Sequence, residues 1–209
     1  MKRVYMSAIA TVFVCVSSTA FSQEWKPNVD KLLTDDIKAE IGKVLNNEIV
    51  IQSIEDQNEK HAHYTEADIT AVDELWKTQR KNEDQYLIAA VLANPLSAYL
   101  TRLQAHSGGK FVEMFVMDNK GLNVGQSSVT SDFWQGDEAK WQKSYAKGAG
   151  TVFIDDAEYN KDLDRWTLQY NIALSNKENK AIGAATVEVN LTELARRNGT
   201  LTTKDGGSK

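Results

Sequence analysis

The sequence of 209 residues has little cysteine and no long apolar runs after its first residues. The first shortage argues against disulfide and cysteine chemistry, and the second argues against a membrane-spanning helix. Its single cysteine, Cys15, lies near the N-terminus, so disulfides, thiol catalysis and cysteine-bound metals are excluded from the remainder of the chain. After the first residues no apolar stretch reaches the roughly 20 residues that a membrane-spanning helix needs, so a soluble product is expected.

Catalytic motifs are missing as well. The sequence contains no Gly-x-Ser-x-Gly nucleophile turn, no glycine-rich phosphate loop and no metalloprotease helix. Asp155 and Asp156, with Asp162 and Asp164 nearby, offer a carboxylate pair of the kind that hydrolyses glycosidic bonds. A solvated acidic turn explains the same residues, so we expect no enzyme, no catalytic residue and no cofactor.

The N-terminus has the pattern of a secretory signal peptide. Lys2 and Arg3 precede a short apolar segment at residues 8–16, and a small-x-small cleavage site ends at Ser22. Residues 1–22 are therefore predicted to be removed. A secreted chain without disulfides must be held together by its core, which favours a periplasmic location.

The charge balance is acidic. The chain has 24 Lys and Arg against 29 Asp and Glu, and removing Lys2 and Arg3 with the signal leaves 22 basic residues and a net charge of −7. An acidic surface repels nucleic acid and anionic membranes, so neither is an expected partner.

The first half of the chain is predicted to be helical. Apolar residues recur every three or four positions over residues 30–60, which predicts one long amphipathic helix. Thr65 and Asp68 form the pattern of a capping box that opens another helix. Asn94 followed by Pro95 marks a further helix start, because asparagine caps helices well and proline suits the first helical position.

The second half is predicted to be a β-sheet. The apolar run at residues 111–117 predicts a buried strand, and Asp118 to Gly121 predicts a tight turn into a short partner strand. Strict alternation over residues 165–174 and a returning run at residues 181–189 predict a hairpin. The fold class is therefore α+β: an antiparallel sheet of about five strands with long N-terminal helices packed on one face.

One domain is expected after the signal peptide, because the chain has enough residues for a single core. We predict a domain over residues 23–197, with a helical part at 28–106 and a β part at 110–190. Residues 198–209, rich in Gly, Thr and Ser, are predicted to form a flexible tail.

Five parts of the sequence resemble those of a known family. They are the long entry helix at residues 30–60, the Asn-Pro-Leu-Ser-Ala-Tyr-Leu helix at residues 94–100, the Phe-Val-Met-Asp-Asn-Lys-Gly hairpin at 115–121, the Ser-Asp-Phe-Trp-Gln-Gly-Asp-Glu-Ala-Lys-Trp segment at 131–141 and the strand at 182–191. Together they resemble the extracytoplasmic PAS-like sensor family, the Cache (PDC-type) domains of bacterial chemoreceptors and histidine kinases, and look like its small, secreted single-Cache subgroup.

The resemblance implies a ligand-binding sensor or adaptor. Receptors of this family continue into a transmembrane helix and a cytoplasmic signalling module, whereas this sequence ends in a polar tail. The resemblance therefore implies a membrane receptor or kinase as partner, and the long N-terminal helix offers a surface for a homodimer. The alternative is a module that works only through protein contact, with a vestigial pocket and no small ligand.

The resemblance also places the ligand between the sheet and a covering segment, here residues 127–147, with the turn at 155–162 as a rim. The predicted ligand-binding residues are Asp132, Trp134, Asp137, Glu138, Trp141, Tyr145, Asp156 and Arg165. The alternative is that the tryptophans belong to the core and that the carboxylates cap a short helix at residues 137–146.

The charge of the ligand stays open at this stage. Arg165 shares the polar face of its strand with Thr167, Gln169 and Asn171, and a cation among neutral donors suits a carboxylate or an amino acid. The acidic residues nearby favour instead an amine or a metal ion. His61 and His63 have no third ligand nearby in the sequence, so we interpret them as a surface helix end and predict no metal site.

Overall fold

The computed structural model describes residues 25–201, so the predicted signal peptide and most of the predicted tail lie outside the described residues. Within this range the helices are α1 (Val29–Leu32), α2 (Asp35–Leu45), α3 (Glu48–Lys60), α4 (Glu66–Gln79), α5 (Tyr86–Leu92), α6 (Pro95–His106), α7 (Ala139–Gln142) and α8 (Leu191–Arg197). The strands are β1 (Phe111–Met117), β2 (Asn123–Gln126), β3 (Val152–Ile154), β4 (Glu158–Asn160), β5 (Arg165–Ser175) and β6 (Ala181–Asn190).

The prediction of one long helix over residues 30–60 is wrong, because this stretch forms α1, α2 and α3. Thr34 caps α2 by accepting a hydrogen bond from the Ile37 N–H, and Asn47 caps α3 by accepting one from the Ile49 N–H. Short polar side chains satisfy the free N–H groups at a helix start, so each of them favours a new helix over a continuous one. The apolar spacing continues across both breaks because α2 and α3 both face the core.

The other helix starts are confirmed. Thr65 and Asp68 form a reciprocal capping box at the start of α4. Asn94 caps α6 by accepting a 2.7 Å hydrogen bond from the Ser97 N–H, and Pro95 occupies the first turn.

The strands form one antiparallel sheet in the order β2-β1-β6-β5-β3, and β4 also pairs with β5. The predicted α+β class with a PAS-like antiparallel sheet is therefore confirmed. The segment at residues 155–162 was predicted to be a turn, but it contains the short strand β4. The predicted tight turn holds: Gly121 has a φ of +83°, and an added Cβ would lie 2.6 Å from the backbone of Gly136.

One face of the sheet carries the main core. There α3 and α6 pack against β1 and β2, with α3 also against β6, around fully buried side chains that include Ile54, Leu100, Met114 and Val187. At the β2 edge, α4 and α5 enclose a second apolar cluster around Trp76. None of the helices within residues 25–201 is both long and apolar enough to cross a membrane.

The opposite face is crossed by a segment that we call the cover, residues 127–147. The helix predicted at residues 137–146 is shorter than expected, because α7 ends at Gln142 and a 3-10 turn follows at Tyr145–Lys147. Trp141 and Tyr145 of the cover pack against Phe115, Met117 and Ala184 on the sheet. The cover therefore lies on the sheet face away from the main helices.

Candidate ligand-binding site

A cleft of about 230 Å³ lies between the cover and the sheet. Its walls are α7 with the preceding Glu138, the segment from Asp155 to Glu158, and the middle of β5 and β6. The residues that line it are Glu138, Ala139, Lys140, Asp155, Asp156, Glu158, Thr167, Leu168, Gln169 and Glu188. The cleft thus lies between the cover and the sheet, with the rim segment at residues 155–158 along one side.

Strand register builds the floor of this cleft. Glu188 of β6 lies opposite Gln169 of β5 on one side and opposite Glu113 of β1 on the other. Directly opposed residues on antiparallel strands share a face, with Cβ atoms about 5 Å apart. Asp155, just after β3, continues the row, since its N–H donates to the Gln169 carbonyl at 3.0 Å. A row of three acids and one amide therefore runs across β1, β6, β5 and the residue after β3, and three of its members, Glu188, Gln169 and Asp155, line the cleft.

The cleft is strongly acidic. Five carboxylates and one ammonium line it, the carboxylates of Glu138, Asp155, Asp156, Glu158 and Glu188 and the ammonium of Lys140. Burial raises the pKa of the neighbouring Glu113 carboxyl, and the charge of Glu188 raises this pKa further. The Ser128 hydroxyl, which donates to Glu113 at 3.2 Å, and the Lys140 charge lower this pKa by less. An added cation would relieve this crowding of negative charge.

Lys140 is the ammonium that the cleft contains. Its Nζ lies 2.9 Å from Glu138 Oε2 and donates a 3.1 Å hydrogen bond to Gln135 Oε1. It also lies 5.4 Å from the centroid of the Phe115 ring, and the side chain is only 12% exposed. Lys140 is largely shielded from solvent and has two oxygen partners and an aromatic ring nearby, so a primary ammonium fits this part of the cleft.

The structure brings together some of the predicted site residues. Glu138 and Asp156 line the cleft. Trp141 and Tyr145 lie in the cover with ring centroids 4.9 Å apart, and Trp141 Nε1 donates to the Asp118 carbonyl at 3.3 Å. These two rings pack on the sheet beside the cleft and are not part of its lining.

Other predicted residues lie elsewhere. Asp132 and Trp134 run along the β2 edge, where Asp132 Oδ1 is 3.5 Å from Lys77 Nζ and Trp134 Nε1 donates to the Lys120 carbonyl at 2.8 Å. Trp134 belongs to the apolar cluster of α4 and α5, as the core alternative proposed. The remaining predicted residues are Asp137 and Arg165. Asp137 is exposed, and neither residue lines the cleft.

The sequence did contain a signal for the acidic floor. Glu113 is the only charged residue of β1, and Glu188 is the only charged residue of β6. A charge inside an otherwise apolar strand needs a partner or a wet cavity. Thr167 and Gln169 had already been assigned to the polar face of β5, and both line the cleft.

A larger cleft of about 520 Å³ lies at the other end of the molecule, between the α2–α3 junction and the β5–β6 turn. Its lining mixes amides such as Asn46 and Gln52 with charges of both signs, Glu48 and Lys177 among them. The lining residues therefore do not favour one class of ligand. We therefore take the smaller acidic cleft as the candidate site.

The residues from 25 to 201 contain no group of three or more histidine, cysteine or acidic side chains arranged to hold a metal ion. The interpretation of His61 as part of a surface helix end is wrong, because this side chain is buried and its Nδ1 lies 3.3 Å from Asp118 Oδ2. The carboxylates of the cleft are spread along its walls, which suits an organic cation better than a small ion.

No protein-family model matches the chain, and no curated protein matches it. Three of the solved structures that match are sensor domains. The extracellular domain of a putative histidine kinase is 14% identical, with a TM-score of 0.42, and the match covers 60% of this chain and 56% of that one. The sensory domain of a Campylobacter jejuni chemoreceptor is 14% identical, with a TM-score of 0.38, over 79% of this chain and 65% of that one.

The third is the ligand-binding domain of a Pseudomonas aeruginosa amino acid chemoreceptor in complex with GABA. It is 13% identical, with a TM-score of 0.34, and the match covers 64% of this chain and 60% of that one. These are the kind of sensor domain that the sequence resembles. The chain spans between 56% and 65% of the length of these three domains.

The raised pKa of Glu113 predicts a pH-dependent stability. Below the ordinary value of 4.5 this carboxyl is protonated in both the folded and the unfolded chain and has no effect. As the pH rises, the unfolded chain loses this proton first, so the contribution of Glu113 to folding becomes unfavourable. The variant Glu113→Gln is therefore expected to match the wild type near pH 4 and to be more stable at pH 7.

Urea unfolding of both proteins between pH 4 and pH 8 measures this difference. Glu178→Gln, in the exposed β5–β6 turn, is the matched control and should show no such trend. If the stability difference between Glu113→Gln and the wild type stays constant with pH, the pKa of Glu113 is not raised by folding and the prediction is wrong.

Proposed function

We propose that this chain is an extracytoplasmic binding domain whose cleft takes a small organic amine and whose occupancy is passed to a partner in the membrane. The observation that carries the proposal is the cleft between cover and sheet, where five carboxylates face one ammonium. That ammonium is already bonded to Glu138, so four lining carboxylates remain for a ligand.

The chemistry of the lining favours an amine over an anion. An anionic ligand would bring its charge close to Glu188 and Asp155, and the charge of Lys140 is already neutralised. A protonated amine gains charge-assisted hydrogen bonds to carboxylates, which are about twice as strong as neutral ones. The volume of about 230 Å³ suits a molecule of a few carbon atoms.

The sensor role rests on the resemblance drawn from the sequence, which places the ligand between sheet and cover. The partner is then a receptor or kinase that contacts this domain outside the cytoplasm, and the domain itself is not an enzyme. A homodimer through the N-terminal helices belongs to the same proposal.

Thermal unfolding of residues 23–209 with added ligands tests the binding step. We use butylamine and 1,4-diaminobutane as amines, butyrate as an anion of similar size, and calcium chloride as a source of a small cation. A ligand at a hundred times its dissociation constant stabilises the folded state by about 2.7 kcal/mol. Stabilisation by an amine and by neither butyrate nor calcium is the expected result.

A substitution in the floor sharpens this test. Glu188→Gln removes one carboxylate from the cleft and is expected to weaken amine binding about tenfold, the equivalent of one charge-assisted hydrogen bond. Glu178→Gln removes the same charge from the distant β5–β6 turn and should leave the affinity unchanged. No response to any amine would instead favour a module that works through protein contact alone.

A further inference from the structure

The ammonium inside the cleft belongs to the cover, and this has a consequence for the ligand. Lys140 bonds to Glu138 Oε2 and Gln135 Oε1, two oxygens that also belong to the cover. Its charge acts on Glu113 as well. The end of the cleft near α7 is therefore neutralised by the chain itself.

The other end of the cleft has no such internal cation. Asp155, Asp156 and Glu158 form the rim there. Glu188 of β6 lies between β5, which pairs with the rim, and β1, whose Phe115 ring lies next to Lys140. The lining has no ammonium or guanidinium besides that of Lys140. A ligand cation is therefore attracted to the rim, whereas near α7 the ion pair of Lys140 with Glu138 leaves less net negative charge to attract one.

We infer that Lys140 is a specificity-determining residue, a tethered ammonium that takes the α7 end of the cleft and restricts the ligand to one cationic group, bound at the rim. The inference rests on the proposed function and names the ligand class more narrowly: a monoamine whose uncharged end points toward α7. A diamine of similar length would place its second ammonium at the α7 end, where Glu138 is already paired with the ammonium of Lys140.

Isothermal titration calorimetry with butylamine and 1,4-diaminobutane tests this. The wild type is expected to bind the monoamine more tightly than the diamine. In Lys140→Met the diamine gains a second acidic end, so its affinity is expected to rise about tenfold, which corresponds to about 1.4 kcal/mol. The affinity of butylamine should rise less, so the order of the two amines changes.

Two further variants separate charge from structure. Lys140→Arg keeps the cation and should retain the wild-type preference. Lys143→Met removes a lysine three positions away that lies over the Phe153 ring, at 4.4 Å from its centroid, and outside the lining. If Lys143→Met changes the preference as much as Lys140→Met does, net charge is the cause and the inference is overturned.

A measurement without ligand distinguishes failure of the inference from failure of the proposed function. Because Lys140 lowers the pKa of Glu113, the Lys140→Met variant should raise this pKa, as followed by carbon-13 NMR of the carboxyl group. Amine binding with an unchanged preference in Lys140→Met overturns the inference alone. If no amine binds either protein although the Glu113 pKa moves, the proposed function falls and the specificity claim falls with it.

Discussion

Replacing Asp118 with alanine is expected to lower the free energy of unfolding by about 3 kcal/mol or more, because it removes a fully buried carboxylate with several partners. Asp118 Oδ1 accepts hydrogen bonds from the N–H groups of Lys120 and Leu122, at 2.8 and 2.9 Å. Asp118 Oδ2 lies 3.0 Å from Gln57 Nε2 and 3.3 Å from His61 Nδ1. One side chain therefore closes the β1–β2 turn and attaches it to α3.

Urea unfolding measures this loss, and two variants bracket it. Asp118→Asn keeps an oxygen that can accept from both turn N–H groups, so its loss is expected to be smaller. Asn119→Ala changes the next residue, whose side chain is exposed and whose N–H still donates to Asn58, and should stay within about 0.5 kcal/mol of the wild type. A loss below about 1 kcal/mol in Asp118→Ala would contradict the role given to this carboxylate.

The hydrogen bonds of Asp118 within the turn could be predicted from the sequence. Its contacts with Gln57 and His61 could not. Asp-Asn-Lys-Gly favours a turn because aspartate bonds nearby backbone N–H groups, and Asp118 does so. His61 and Gln57 reach Asp118 from 57 and 61 positions away. Local sequence patterns do not predict contacts between residues so far apart in the chain. His61 was therefore interpreted as exposed, although it is buried.

The candidate site also has one part that could be predicted from the sequence and one part that could not. The cover and the rim are continuous segments, and Glu138 and Asp156 were predicted because the family resemblance places the ligand beneath such segments. The floor depends on β1 and β6 being neighbours, which brings together Glu113 and Glu188 from strands far apart in the sequence. Strand order is set by the whole fold, so their pairing could not be read from spacing.

The misplacement of Trp134 has a physical reason too. An aromatic side chain in a polar loop was interpreted as a ligand wall, a residue exposed to a cavity. In the structure α4 and α5 supply a second apolar cluster at the β2 edge, and Trp134 packs there. The two helices that cover it precede it by tens of residues, so the sequence near Trp134 contains no sign of them.

Replacing Asp73 with alanine is expected to lower the free energy of unfolding by about 2–4 kcal/mol, because one buried and one partly buried N–H group lose their acceptor. Asp73 Oδ1 accepts from the N–H groups of Phe133 and Trp134 at 2.9 and 3.0 Å, and the side chain is nearly inaccessible. Lys77 Nζ lies 2.6 Å from Asp73 Oδ2, and the hydrogen bond to Asp73 raises the lysine pKa. Asp73 therefore fastens the start of the cover to α4.

Hydrogen exchange and urea unfolding together check this. The amides of Phe133 and Trp134 should exchange faster in Asp73→Ala, by more than the global loss of stability explains, because their attachment is the contact removed. Asp73→Asn keeps an acceptor and should retain most of the protection. Glu74→Ala, at the exposed next position of α4, should leave both measurements near those of the wild type. If protection falls equally across β5 and β6, Asp73 supports the whole fold and does not specifically hold the cover.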